Sequence, residues 1–87
     1  MSTQNKHKER QYQKALLNHL QAAGDQGYLE KALSDLLSPS ELSEISKRLQ
    51  IFKLLEAGVP QRQIAEQLGV GIATVTRGSR VLKQNST

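Results

Sequence analysis

The chain has no cysteine and no tryptophan among its 87 residues, and its aromatic side chains are two tyrosines and one phenylalanine. Without cysteine there is no disulfide framework and no thiolate metal site, a composition that fits a reducing compartment. Two histidines are present, His7 and His19. They stand twelve residues apart with no acids or cysteines in ligand spacing, so no metal centre is expected. No apolar run approaches the ~20 residues that a membrane span needs, and the polar N-terminus lacks the apolar core of a signal peptide. The expectation is a cytoplasmic chain with no membrane partner. No nucleophile–base pair and no phosphate-cradling glycine loop occurs, which argues against an enzyme. Glu41 and Glu44 read as helix-start charges rather than a catalytic pair. With 37% hydrophobic residues, a lone copy has little large apolar area to bury. Two explanations compete, marginal stability of a single copy and core completion by a second chain, and the second is the expectation.

What is present is basic and helical. The formal charge is +4, and from Gly58 onward Arg62, Arg77, Arg80 and Lys83 face one acid, Glu66. A basic C-terminal third is the electrostatic footprint of phosphate binding, although on charge alone a solvated basic face is the better reading. No strand-like alternation, internal repeat or low-complexity segment appears, and the pattern predicts an all-α chain of five helices. Residues 1–5 and 84–87 are polar and read as flexible tails. From residue 7 to 23, Tyr12, Ala15, Leu16, His19, Leu20 and Ala23 recur at helical spacing, and Gly24 and Gly27 stop that helix. Tyr28, Leu29, Ala32, Leu33, Leu36 and Leu37 make a shorter second helix. Ser38-Pro39-Ser40-Glu41 opens a third, with Ser38 as N-cap, Pro39 at the first helical position and Glu41 closing a capping box. Leu42, Ile45, Leu49, Phe52 and Leu55 form its expected core stripe, with Ile51 and Leu54 beside it. Gly58 ends it, and Pro60 is expected to begin the next.

The stretch that organises the chain runs from Gln61 to Ser79 and reads as two short helices about a glycine turn. Ile64, Ala65 and Leu68 share one face of the first, and Ile72, Val75 and Leu82 one face of the second. Gly69 between them can take positive φ at little steric cost. The second helix turns short polar and basic groups outward: Ala73, Thr74, Thr76, Arg77, Arg80 and Lys83. This is the pattern of a helix-turn-helix whose second helix enters a major groove. The expected organisation is one domain over residues 1–87. Within it, residues 7–57 serve dimerisation and ligand support, and residues 60–83 form the reading head.

The segment Gly71-Ile72-Ala73-Thr74-Val75-Thr76-Arg77-Gly78-Ser79, with Gln61-Arg62 upstream, resembles the Trp repressor family. The likeness extends back through Leu37-Ser38-Pro39 and Arg48 and covers about residues 29–83. It implies an intertwined all-helical homodimer on palindromic double-stranded operator DNA. It also implies a small aromatic amino acid as corepressor, L-tryptophan in the founding members. Residue by residue, the resemblance gives Arg48 and Arg77 the two faces of the indole, with Arg77 also on the ligand carboxylate. Such contacts suit guanidinium groups, which stack on rings and pair with carboxylates. Ser38 keeps a hydroxyl for the carboxylate, Gly78 leaves room for the ring, and the carbonyls near Asp35 and Leu37 suit the ligand ammonium. On the DNA side it points to Gln61 and Arg62, and to Gly71, Ile72, Ala73 and Thr74 at the start of the reading helix. Thr76, Arg77 and Arg80 continue that surface.

The departures are specific. Val81 stands where family members have a serine near the ammonium. The interval from Arg48 to Gln61 is one residue shorter, Ala65 replaces a lysine, and Arg80 replaces a neutral residue. The expected fold also lacks the family's sixth helix. The resulting expectation is a repressor of tryptophan metabolism gated by L-tryptophan. The alternatives are a ligand-independent helix-turn-helix regulator and a helical protein-interaction module.

Overall fold

A computed structural model describes residues 3–85. Its helices run α1 Thr3–Ala22, α2 Gln26–Leu36, α3 Pro39–Glu56, α4 Gln61–Leu68 and α5 Ile72–Asn85, with no strand among the described residues. The five helices of the all-α reading are present. α1 and α5 take in residues 3–5 and 84–85, which sequence had assigned to the tails; residues 1–2 and 86–87 lie outside the described ones.

The chain resolves into two compact units, Met1–Leu42 and Ser43–Thr87. In the first, α1 packs on α2. The turn between them takes Gly24 to φ 82°, and α2 begins two residues earlier than its apolar stripe suggests. Its start is fixed by Asp25, whose Oδ1 accepts the Tyr28 N–H at 3.0 Å and so satisfies an orphan donor of the first turn. The Gly24–Gly27 interval had looked like a break, and Gly27 in fact lies inside the helix. Of the apolar residues on the two helices, Ala32 is the buried one, while Tyr12, Leu16, Leu17, Tyr28, Leu29 and Leu36 are exposed.

The expected capping box opens α3. The Glu41 N–H donates to Ser38 Oγ at 3.1 Å, and the Ser38 N–H donates to Glu41 Oε1 at 2.8 Å. The Ser38 backbone N–H, then its hydroxyl, hold the Glu41 carboxyl below its ordinary pKa.

In the second unit Ile51 of α3, Ile64 of α4 and Val75 of α5 are almost completely buried against one another. Leu54, Leu55, Val59, Ala65, Leu68 and Val70 pack around them. Each of the three buried side chains contributes roughly 1.5–3 kcal/mol relative to exposure. The core face of α3 is therefore centred on Ile51. Ile45 and Leu49, placed on the core stripe by spacing, are 46% and 51% exposed. Ile72, placed on the core face of α5 by spacing, is 50% exposed at the first residue of that helix.

Both turns of this unit close in the same way. The Val59 N–H reaches back to Leu54 O and the Val70 N–H to Ala65 O, each at 3.0 Å. These bonds satisfy last-turn carbonyls and seat each valine on the core. Gly69, at φ 66° and ψ 38°, takes the left-handed conformation the second turn requires. Pro60 precedes α4 as its cap residue, with no side-chain capping bond, rather than forming its first helical residue.

Candidate nucleic-acid interface and ligand cleft

α4 packs on α5 across the Gly69 turn, and that packing sets where the outward side chains stand. α5 starts after Gly71, whose carbonyl accepts the Thr74 N–H at 3.1 Å and the Val75 N–H at 3.4 Å. The N–H groups of Ile72 and Ala73 thus lie ahead of the first intrahelical bond, the usual situation at a helix N-terminus. Ile72, Ala73 and Thr74 are all exposed, so this end of α5 is open to an anionic partner. Arg62 is exposed on α4, and Arg77 and Arg80 are exposed one step further along α5. Gln61 and Thr76 are different. Both are half-buried, and Thr76 Oγ1 lies 2.8 Å from Gln61 Oε1, joining the first residue of α4 to the second turn of α5.

Beside this surface, α3 and α5 cross closely. The crossing is made possible at Gly78, which is buried: a Cβ there would lie 2.8 Å from Ile51 Cγ2 and within 4 Å of Phe52 and Leu55. Gly78 is thus a packing notch as well as a cleft residue. A cleft of about 240 Å³ opens at the crossing, lined by Arg48, Ile51, Phe52, Thr74, Arg77, Gly78 and Val81. A second hollow of about 390 Å³ shares Arg48, Ile51, Thr74 and Arg77 and continues past Val70 and Gly71 to Ser43, Glu44 and Lys47. The fold brings Arg48, Arg77, Gly78 and Val81 to one cleft. Ser38 belongs to the other unit, where its hydroxyl is engaged in capping α3.

Sequence reasoning missed Phe52 and Thr74 as cleft residues, and Glu44 on the wider hollow. Helical spacing held the signal: Glu44 and Phe52 lie four residues either side of Arg48, and Thr74 and Val81 lie three before and four after Arg77.

A further hollow, about 410 Å³, lies between α1 and α2 and is lined by His19, Ala22, Ala23, Tyr28, Lys31, Ala32 and Asp35. Its charged pair is satisfied internally, Lys31 Nζ to Asp35 Oδ2 at 3.1 Å on an exposed helix face. Among the described residues Arg48 and Arg77 have no ion pair of this kind, and the clefts they line are the better candidate site. Among the described residues no group of histidines and carboxylates could hold a metal ion, and no helix is long and apolar enough to cross a membrane.

Comparison with known proteins fits this geometry. The chain is 43% identical over 65 residues to the "Trp operon repressor homolog" of Aliivibrio fischeri strain MJ11, covering 74% of this chain and 60% of that protein. It is 41% identical over 70 residues to the protein of the same description in Pasteurella multocida, covering 79% and 69%. It is 42% identical over 72 residues to that of Vibrio cholerae, covering 82% and 70%. The chain spans about three fifths of the length of the Aliivibrio relative. The model of the family described as Trp repressor protein matches residues 11–87, and with that match the chain belongs to the Trp repressor family.

Proposed function

We propose that this chain is a DNA-binding transcriptional repressor that uses L-tryptophan as corepressor. The family is regulatory and non-enzymatic, and the relatives above are named as repressors. The observation that carries the reading is the juxtaposition on α5. Its N-terminal turn, with Arg77 a turn later, faces outward, while Arg77, Gly78 and Val81 line a cleft closed across the crossing by Arg48. A flat aromatic amino acid between the two guanidinium groups would touch the helix that meets DNA. It would therefore favour one setting of that helix over others, and by linkage DNA and ligand would each tighten the other's binding. Gln61, Arg62, Gly71, Ile72, Ala73, Thr74, Thr76, Arg77 and Arg80 are the DNA surface of this proposal. Residues 7–57 supply dimerisation and ligand support, residues 60–83 read the DNA, and the dimer meets a palindromic duplex.

The chain itself carries no tryptophan, so ligand fluorescence can be followed without a protein background at long excitation wavelengths. L-tryptophan is titrated with the protein alone and with double-stranded DNA selected from a random pool. The expected result is saturable binding that tightens in the presence of DNA, and a weakening of both ligands by Arg77→Ala. Arg62→Ala should weaken DNA alone and lower the salt dependence of its binding. Unchanged fluorescence with intact DNA binding would reject the corepressor role and leave a ligand-independent regulator. Val81, apolar on the cleft wall, is the feature that favours that second reading.

A further inference from the structure

The hydrogen bond between Thr76 and Gln61 assigns these two residues different parts in reading DNA. We infer that Thr76 acts as a positioning residue, whose hydroxyl fixes which end of the Gln61 amide is presented to the DNA. The inference rests on the DNA-binding reading above and deepens it.

Thr76 Oγ1 lies 2.8 Å from Gln61 Oε1 and 3.0 Å from Ile72 O, and a hydroxyl has one proton to donate. Donated to Gln61, that proton takes up the amide oxygen and leaves the amide nitrogen, with two donors, for an outside acceptor. Donated instead to Ile72 O, the ordinary back-bond of a helical threonine, it leaves Oγ1 as an acceptor. The Gln61 amide would then turn its nitrogen inward and its oxygen outward. The two arrangements present opposite hydrogen-bonding character at the first residue of α4. The structure holds the first, with the oxygen toward Thr76.

Three features make the bond consequential. It links positions fifteen residues apart, so it ties α4 to α5 across the turn rather than within one helix. Both residues are half-buried, where water competes poorly for the bond. Gln61 also opens α4 beside the exposed Arg62, at the helix end that carries the positive end of the dipole. An amide with its donors outward there suits phosphate oxygens and the N7 and O6 acceptors of guanine; an amide turned the other way does not.

The test uses the full-length protein with L-tryptophan and a randomised pool of double-stranded DNA, sequenced after selection. Thr76→Val removes the hydroxyl at nearly constant shape, Thr76→Ser restores it, and Gln61→Ala removes the amide. Thr76→Val and Gln61→Ala should blur the sequence preference at the same base positions and weaken the best duplex by about 5- to 10-fold each, the worth of one hydrogen bond. The double variant should be no weaker than either alone, and Thr76→Ser should restore preference and affinity. A merely structural role for Thr76 would lower affinity evenly across sequences and multiply with Gln61→Ala, and either result overturns the inference. In the same proteins without DNA, the Gln61 side-chain amide NMR signals should move in Thr76→Val and return in Thr76→Ser. Unmoved signals overturn the clasp alone, whereas a wild-type chain that enriches no sequence overturns the DNA reading itself.

Discussion

The two halves of this molecule use apolar side chains differently. The second unit builds a closed centre: Ile51, Ile64 and Val75 from three different helices vanish from the surface and two valines beyond the turns cover them, while Ile45, Leu49 and Ile72 stay outside it. The first unit has comparable apolar content but buries Ala32, while Leu16, Leu17, Leu36 and both tyrosines stay at the surface. A region that completes its own core can serve as a rigid head. A region that leaves a run of leucines in water is one whose folding is finished by something else, and a second copy is the proposal here.

The sharpest way to break this contrast is Ile64→Ala. It should cost about 2–5 kcal/mol, because the site is fully enclosed and cannot relax onto a smaller side chain. Chemical denaturation followed by circular dichroism measures the loss. Leu36→Glu probes the other half. In a monomer, a leucine 51% exposed tolerates the change within about 0.5 kcal/mol. In a dimer that covers it, sedimentation should show the assembly shifted toward single chains at micromolar concentration. A variant that sediments like the wild type at every concentration would remove Leu36 from any such interface.

Gly78→Ala comes next in size. The added methyl meets Ile51 Cγ2 at 2.8 Å in a packed core, an overpacking of about 1–3 kcal/mol that exceeds the roughly 1 kcal/mol gained in helix propensity. A lowered melting temperature, with cleft binding altered as well, is the expected outcome.

The smallest effect belongs to the α3 cap. Ser38→Ala should cost about 1 kcal/mol. Because the Glu41 carboxyl has a lowered pKa in the fold, its contribution is present above its unfolded pKa and is lost as pH falls through the lower, folded value. The Ser38 backbone N–H, the larger cause of that lowering, survives in Ser38→Ala, so the gap that should narrow on acidification is the one between wild type and Glu41→Gln, a trend that paired melting curves can follow.

Legibility in the sequence tracked how local each determinant was. The capping box at Ser38 and Glu41 and the left-handed Gly69 are set within four residues, and both stand as read. The α3 stripe is not local. Apolar residues at 42, 45, 49, 51, 52, 54 and 55 surround most of that helix, so spacing alone cannot say which face meets the rest of the chain. The choice of Ile51 is made by Gly78, twenty-seven residues on, where a missing side chain admits it. The α2 start failed for a subtler reason: two glycines hid an aspartate that caps through a single bond. At the candidate site the arginines were legible from family resemblance. Phe52 and Thr74 emerge only once the α3–α5 crossing is built. The Gln61–Thr76 bond likewise depends on how α4 and α5 pack.

Gly69 and Gly78, nine residues apart, make different demands on stereochemistry. At Gly69 the space where a Cβ would lie is open, but the backbone sits at φ 66°. What that turn asks for is handedness, and a D-alanine introduced by chemical synthesis should fit without strain, where L-alanine would cost about 1–2 kcal/mol. At Gly78 the backbone is ordinary right-handed helix and the space is taken. There L-alanine is refused by volume, and a D-residue would instead work against its own preference in a right-handed helix. A pair of synthetic proteins, one with D-alanine at Gly69 and one with L-alanine at Gly78, would thus separate a hinge set by chirality from a joint set by volume.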